Sequence, residues 1–195
     1  IYIAIKWEDG GKAIFRQERV GYHGETFTLY KFRSMCPNAE SKLNDLLQDN
    51  EMDGPVFKMK DDPRITRVGH FIRKTSIDEL PQLVNILKGD MSIVGPRPER
   101  PEIAAQYEQE MPAFSLRLQV KAGLTGTAQV YGRYNTEPRD KLKMDLMYIN
   151  NMSLGEDLKL IFATVKIMFM KERTAGVQLG QVTAAKAGVA EKKSA

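Results

Sequence analysis

The sequence predicts an α+β fold, with one helix-rich domain and a small β-sheet. The 195 residues suit a single domain. Short β-prone runs lie mainly near the start of the chain, whereas apolar residues at helical spacing dominate its second half. The composition, with 42% hydrophobic and 28% charged residues, excludes a disordered, collagen-like or disulfide-rich chain.

The first predicted elements are β-strands. Residues 13–15 and 26–30 are β-prone, and Gly21 and Gly24 between them indicate a hairpin or two adjacent strands. Residues 38–51 carry leucines at helical spacing and predict a helix that ends before an Asp-Gly-Pro turn.

A further helix is predicted to begin at Ser76, because Glu79 follows with the spacing of a capping box. Gly89 is predicted to end this helix. Pro81 lies near its first turn and predicts a local irregularity there, since proline has no N–H and its ring clashes with the preceding turn. Apolar residues of this segment recur at helical intervals, namely Leu80, Leu83, Val84 and Leu87.

The second half predicts mostly helices. They cover residues 101–118, with a break at Pro112, then 138–150 and 156–171. Two shorter segments are a strand at 91–94 and a turn-rich stretch at 123–130 that enters a β-like run. The last helix is either a membrane-interface amphipathic helix or a core helix with lysines at its margin. The folded domain is expected to cover 1–174, and the composition of 175–195 predicts a disordered tail.

Cysteine and histidine are scarce. Cys36 is the single cysteine, and His23 and His70 are the two histidines, so a disulfide or a zinc site is not expected. A reducing, cytosolic environment fits this composition. The sequence contains no run of roughly 18 uncharged apolar residues, so it predicts no membrane span. Because the chain opens at Ile1 in an apolar run, we expect that an upstream portion of a longer protein is missing.

The net charge of +4 is concentrated in residues 58–74, where six basic residues face two acidic ones. Such a cluster suits partners that bear phosphate groups, such as nucleotides, nucleic acid or anionic lipid, or it is a solvated charged face. Phe57 and Phe71 are the aromatic residues near it, which gives little support to base stacking. We therefore predict no nucleic-acid partner.

Asp78 and Glu79 form an acidic pair at the predicted helix start. Consecutive helical residues point about 100° apart, so the two carboxylates need different roles, such as nucleophile or metal ligand for one and acid, base or orienting group for the other. Alternatively, both simply complement the helix dipole. No P-loop or dinucleotide-binding motif is present, so arginines and Mg²⁺ would have to bind phosphate. One aspartate suffices for Mg²⁺ when a diphosphate supplies further oxygens.

Several motifs together resemble the bacterial sugar transferase family, that is, the polyprenyl-phosphate hexose-1-phosphate transferases or monotopic phosphoglycosyl transferases. The resemblance runs in order from residue 15 to residue 171. It is carried by the segments KFRSM at 31–35, DPRITRVG at 62–69, RKTSIDELPQL at 73–83, LKGDMSIVGPRP at 87–98 and GLTG at 123–126.

The resemblance implies transfer of a sugar-1-phosphate from a nucleoside diphosphate sugar, usually a UDP-sugar, to a membrane polyprenyl phosphate, with release of UMP. It implies that Asp78 is the nucleophile, that Glu79 assists it, and that Mg²⁺ is the cofactor, with Asp78 as its predicted ligand. Arg73 would bind phosphate and Arg97 the nucleotide end. We add Lys31, Arg33, Arg64 and Arg67 as predicted substrate-binding residues.

The family also implies a location, the cytoplasmic face of the bacterial inner membrane. Its members carry a re-entrant hydrophobic helix before the globular part, which this sequence lacks. The run from Arg97 to Glu102 resembles the exopolysaccharide branch, while the hexose stays open. The competing hypothesis is a non-catalytic basic module that binds anionic lipid or nucleic acid through residues 58–74 and 158–171.

Overall fold

The computed structural model describes residues 1–46, 57, 59, 61–132 and 136–169. Its helices and strands follow in the order α1 (Tyr2–Asp9), β1 (Ile14–Val20), β2 (Thr26–Phe32), α2 (Leu43–Leu46), α3 (Arg67–Lys74), α4 (Gln82–Lys88), β3 (Ser92–Val94), α5 (Pro101–Glu110), β4 (Gly123–Thr125), α6 (Thr127–Tyr131), α7 (Pro138–Asn150) and α8 (Leu154–Phe169). Short 3₁₀ segments cover Tyr22–Gly24, Ile77–Glu79 and Pro112–Gln119.

The predicted hairpin is confirmed. Strands β1 and β2 pair antiparallel, with Phe15 opposite Lys31 and Val20 opposite Thr26. The turn between them contains His23 at a φ of 52°. This register places Lys31 near the end of β2, where the chain leaves the sheet.

A second small sheet joins distant parts of the chain. Strands β3 and β4 pair in parallel. Gly95 and Gly123 lie so close together that a Cβ atom on either would clash with the backbone of the other segment. This close approach holds the turn after β3 against β4, and that turn leads into Arg97.

The segment after β4 is helical, so the β-like run predicted there is wrong. The backbone at Gly126 packs against the carbonyl of Gly95, which ends the strand. Helix α6 follows and buries Val130 against Tyr148 and Leu160.

The segment around the acidic pair also differs from its prediction. Ser76 has a φ of 55° and makes no side-chain cap, so the capping box predicted with Glu79 is wrong. Residues Ile77–Glu79 form a 3₁₀ turn, and α4 begins after Pro81. The irregularity predicted from Pro81 is confirmed, and so is the helix end at Gly89, which has a φ of 85°.

The remaining helices agree with the sequence in part. Helix α7 has the predicted bounds, α8 begins two residues earlier than predicted, and the break at Pro112 separates α5 from a 3₁₀ segment. Of the helix predicted at 38–51, the described part is helical at Leu43–Leu46, and its end lies outside the described residues. The predicted tail at 175–195 lies outside them as well.

Three apolar clusters hold these elements together. One joins α5, the 3₁₀ segment after it and α7. Another joins β3, α6, α7 and α8, and the third joins α1, the residue before β1 and α3. The chain is therefore an α+β domain in which helices surround two small sheets.

Helices α4 and α8 are among those that leave apolar side chains exposed. Helix α8 buries Leu160, as a core helix does, but exposes 71% of Phe162 on its other side. Helix α4 buries the amides Gln82 and Asn85 and exposes its leucines, with Leu87 87% exposed. Within the described residues, no helix is both long and apolar enough to cross a membrane.

Candidate active site

Glu79 lies at the centre of a charged cluster that three separate parts of the chain supply. Its Oε1 accepts a hydrogen bond from Lys31 Nζ at 2.8 Å and another from Arg97 Nη2 at 2.9 Å. Lys31 comes from β2, Glu79 from the 3₁₀ turn before α4, and Arg97 from the loop after β3. The fold thus brings two predicted substrate-binding residues onto a predicted catalytic one.

The two cations keep Glu79 ionised. Burial alone would raise the pKa of Glu79, but Arg97 and Lys31 outweigh burial and lower this pKa to about 2. Burial, together with the nearby Arg97, lowers the pKa of Lys31, and the charge of Glu79 opposes that shift. The carboxylate of Glu79 is therefore a fixed anion at neutral pH, already engaged by two donors.

Asp78 is in a different environment from its neighbour. Burial raises the pKa of Asp78, and so does the charge of Glu79, while Lys31, Arg73 and Arg97 act against this rise. Among the described residues, no side chain donates a hydrogen bond to Asp78. Two adjacent carboxylates with pKa values shifted in opposite directions are suited to different chemical roles.

Arg73 lies in the last turn of α3, just before the acidic pair. Its side chain is exposed, and its charge lowers the pKa of Asp78. An exposed guanidinium near two carboxylates retains free donors for an anionic ligand. This position agrees with the role predicted for Arg73 in phosphate binding, which stays a prediction.

The loop that carries Arg97 is held firmly, although the Arg97 side chain is 44% exposed. Pro96 and Pro98 on either side of it are buried. Arg97 pairs with Glu79 through one terminal nitrogen, and the charge of Glu79 raises the pKa of its guanidinium. The charge of Arg97 also acts against the rise in the pKa of Asp78.

Magnesium was predicted at Asp78. Within the described part of the chain, no three carboxylate, histidine or cysteine side chains gather into a metal site. Magnesium needs few protein ligands when phosphate oxygens complete its shell. The half-buried Asp78 carboxylate fits that mode of binding, in which a diphosphate and water supply the other ligands.

Comparison with known proteins shows the family of this chain. The family model described as bacterial sugar transferase matches residues 1–171, which is most of the chain. The chain belongs to this family. The resemblance stated from the sequence motifs is thereby confirmed.

Three relatives match most of this chain but differ in how much of their own length the match covers. The galactosyl transferase CpsE of Streptococcus agalactiae is 50% identical over 84% of this chain and 36% of its own length. The UDP-glucose:undecaprenyl-phosphate glucose-1-phosphate transferase of Escherichia coli is 41% identical over 85% of this chain and 34% of its own length. The exopolysaccharide production protein ExoY of Sinorhizobium fredii is 39% identical over 83% of this chain and 72% of its own length. The chain thus spans about a third of the first two relatives and most of the third.

Three of the arginines predicted to bind substrate have other surroundings. Arg33 is buried and pairs with Asp9, and Arg64 is buried and pairs with Asp62 at 2.6 Å. Arg67 begins α3 with an exposed side chain, while its backbone N–H donates to Glu8. We do not place Arg33 or Arg64 in the site of this bacterial sugar transferase, because their guanidinium groups are taken up by internal partners.

This finding weakens the competing hypothesis of a basic binding module at residues 58–74. Arg64 is buried rather than presented on a surface. Lys58 and Lys60 lie outside the described residues. At the position of Arg64, the basic cluster of the sequence therefore does not form a charged surface in the fold.

Several residues around the site were missed by the sequence analysis. Asn85 is fully buried, accepts from the N–H of Tyr30 at 3.1 Å and donates to the carbonyl of Thr28 at 2.7 Å, so that it pairs with the edge of β2 beside Lys31. Arg117 donates to the carbonyl of Arg97 and pairs with Asp145. One signal was available for Asn85, since it interrupts the apolar residues of α4. Arg117 and Asp145 carried none, because polar residues in helical segments usually face solvent.

Proposed function

We propose that this chain is the catalytic part of an enzyme that transfers a sugar-1-phosphate from a UDP-sugar to a membrane polyprenyl phosphate and releases UMP. The observation that carries the proposal is the unequal acidic pair. Glu79 is fixed by Lys31 and Arg97, whereas Asp78 beside it has no side-chain donor among the described residues. The names of the relatives, among them the glucose-1-phosphate transferase of Escherichia coli, support the choice of substrates.

The first half-reaction uses Asp78 as the nucleophile. An oxygen of its carboxylate attacks the phosphorus that carries the sugar and forms a new P–O bond, while the bridging P–O bond of the diphosphate breaks. The electron pair of that bond leaves with UMP. Asp78 then carries the sugar phosphate as a mixed anhydride.

The second half-reaction regenerates the enzyme. A phosphate oxygen of the polyprenyl phosphate attacks the same phosphorus, and the bond to Asp78 breaks. The product is a polyprenyl diphosphosugar, and the carboxylate of Asp78 is free again. Two successive displacements let a water-soluble donor and a lipid acceptor use one site in turn, so we expect ping-pong kinetics.

The surrounding charges have separate tasks in this proposal. Arg97 and Arg73 neutralise the phosphates that an anionic nucleophile must approach. Glu79 holds Lys31 and Arg97 in place and thereby orients them toward the donor. Mg²⁺, held by Asp78, would supply further neutralisation of phosphate charge.

The exposed apolar side chains suggest how the acceptor reaches this site. Leu83 and Leu87 of α4 directly follow the acidic pair, and Phe162 of α8 is also exposed. Exposed apolar side chains on the surface of a domain are typical of a membrane-interface contact. We place this surface on the cytoplasmic face of the bacterial inner membrane, where the polyprenyl phosphate would lie beside Asp78.

The decisive experiment measures UMP release by the natural full-length protein in membranes, with Mg²⁺, a polyprenyl phosphate and a panel of UDP-sugars. The wild type should release UMP from one sugar of the panel. Asp78→Asn should abolish that release, whereas Asp140→Asn, which changes an exposed carboxylate on α7, should not. With radiolabelled donor and no acceptor, label should become covalently attached to the peptide that contains Asp78. Equal release by the wild type and Asp78→Asn would contradict the proposed nucleophile.

The membrane contact has a separate test. Leu87→Gln should lower the fraction of the chain that sediments with anionic phospholipid vesicles severalfold, because a fully buried leucine contributes roughly 2 kcal/mol. Met147→Gln changes a side chain of α7 that is 63% exposed and serves as the control. Equal losses in both variants would show that the α4 surface has no special role.

A further inference from the structure

We propose that Arg117, held by Asp145, is a positioning residue that fixes the backbone of Arg97 and so directs its side chain to the reacting phosphates. The inference rests on the proposed function, since that function gives Arg97 its task. It assigns a role to two residues, on the 3₁₀ segment at Pro112–Gln119 and on α7, that contact neither carboxylate of the acidic pair.

The loop around Arg97 is fixed through four consecutive carbonyl groups. Their donors come from three parts of the chain: β1, the 3₁₀ segment at Pro112–Gln119 and β4. The donors are Gly123 N to Pro96 O at 2.9 Å, Arg117 Nη2 to Arg97 O at 2.8 Å, Arg19 Nη1 to Pro98 O at 3.0 Å and Val20 N to Glu99 O at 2.9 Å. Because Pro96 and Pro98 have no N–H, the carbonyls carry much of the anchoring.

Arg117 acts on the residue that matters for the site. Its Nη2 donates both to the Arg97 carbonyl and to Asp145 Oδ2, the latter at 2.7 Å, and its Nε donates to the same Oδ2 at 3.1 Å. The guanidinium also lies 4.8 Å from the ring centre of Phe114. Asp145 and Phe114 both contact Arg117 in the orientation in which it reaches the Arg97 carbonyl.

Stability alone is a weak reason for this pair. The side chains of Arg117 and Asp145 are 7% and 2% exposed, and removing both charges from water costs about as much as their attraction returns. A well-packed apolar pair would hold the 3₁₀ segment on α7 equally well. What an apolar pair cannot do is donate a hydrogen bond to the Arg97 carbonyl. A shift of about 1 Å in a substrate-positioning group is enough to lower a rate on the order of a hundredfold.

The test compares two buried arginine–aspartate pairs of the same chain in the natural full-length protein. Asp145→Asn weakens the pair that holds Arg97, and Asp62→Asn weakens the matched pair of Asp62 and Arg64. We expect Asp145→Asn to reduce the affinity for UDP and kcat/KM by about tenfold to a hundredfold, the effect of losing a charge-assisted hydrogen bond. Asp62→Asn should leave both unchanged in the folded protein.

A double-mutant cycle separates positioning from general damage. In an Arg97→Gln background, Asp145→Asn should reduce UDP affinity by less than about twofold, because the side chain that it positions is already gone. If the losses multiply instead, Asp145 does not act through Arg97 and the inference is overturned. The same holds if Asp62→Asn and Asp145→Asn lower UDP affinity equally.

Two further measurements keep the outcome clear. If Asp145→Asn fails to fold, the apolar replacement of Arg117→Met with Asp145→Leu removes the donor while keeping the packing. Hydrogen exchange of residues 95–100 should become faster in Asp145→Asn or in the apolar replacement, but not in Asp62→Asn. Hydrogen exchange can be measured without any activity. A wild type that neither binds UDP nor releases UMP would refute the proposed function, and the exchange rates would still show whether the pair holds the loop. Unchanged exchange in every variant would overturn the inference.

Discussion

The ion pair of Asp62 and Arg64 and the cluster of Lys31, Glu79 and Arg97 are both compact arrangements of opposite charge. In the first, two residues that are close in sequence satisfy each other, and Arg64 also donates to a backbone carbonyl at Ala39. In the second, three residues from distant segments meet at one oxygen, Oε1 of Glu79. The pair has few donors left, whereas the cluster keeps donors on an exposed arginine beside an acidic group.

This difference separates structural charges from charges that are available to a ligand. A buried arginine whose three nitrogens all donate to internal acceptors cannot bind a phosphate without losing some of those bonds. An arginine that is held by one nitrogen and is 44% exposed can do so. We therefore expect the number of free donors, rather than the number of basic residues, to mark the anion site.

The largest expected effect comes from changing Arg97 in the cluster of Lys31, Glu79 and Arg97. Arg97→Ala should lower kcat/KM for the nucleoside diphosphate sugar by on the order of a thousandfold, because it removes a preorganised cation from the transferring phosphate. The free energy of unfolding should fall by less than in Asp62→Asn, since the Arg97 side chain is partly solvent-exposed and Lys31 still pairs with Glu79. Steady-state kinetics and urea unfolding of the same preparation check both statements.

The buried pair of Asp62 and Arg64 should respond in the opposite way. Asp62→Asn should lower the free energy of unfolding by about 3–5 kcal/mol, because it leaves the buried Arg64 charge without its partner. The KM for the donor should stay the same in the fraction that folds. If Arg97→Ala destabilises the fold as much as Asp62→Asn does, or Asp62→Asn raises that KM, the distinction between the two regions does not hold.

The sequence predicted the acidic pair, Arg73, Arg97 and Lys31 as site residues, because they stand in motifs that resemble a known family. It could not separate Arg97 from Arg64, since both occur in basic, proline-containing segments. That separation depends on which carboxylate each guanidinium meets, and Glu79 is 18 residues from Arg97 in the chain while Asp62 is two residues from Arg64.

Helix positions show a related limit of the sequence. The apolar spacing of α4 correctly indicates a helix, but its leucines are exposed and its amides are buried. Spacing reveals that one face is apolar and does not reveal what covers it. Asn85 is buried because it pairs with the edge of β2, a contact 55 residues distant in the chain.

The smallest effect concerns acid stability and compares Glu79 with its neighbour Asp78. The pKa of Glu79 is about 2 in the folded chain and 4.5 as its ordinary value. Because the folded value is the lower one, ionised Glu79 stabilises the fold above about pH 4.5, and this contribution is lost as the pH falls towards 2. Over that interval the free energy of unfolding of the wild type should therefore fall by about 3 kcal/mol more than that of Glu79→Gln.

Urea unfolding of both proteins at several pH values between 5 and 2 measures this difference. Asp78 provides the internal contrast, because burial raises its pKa and its ionised form works against folding. Asp78→Asn should accordingly increase the free energy of unfolding at pH 7, although it abolishes transfer. Parallel acid profiles for the wild type and Glu79→Gln would mean that Lys31 and Arg97 do not hold this carboxylate in solution. A loss of stability in Asp78→Asn at pH 7 would mean that Asp78 is a structural residue, since a group kept for chemistry at a cost to folding stabilises the chain when it is removed.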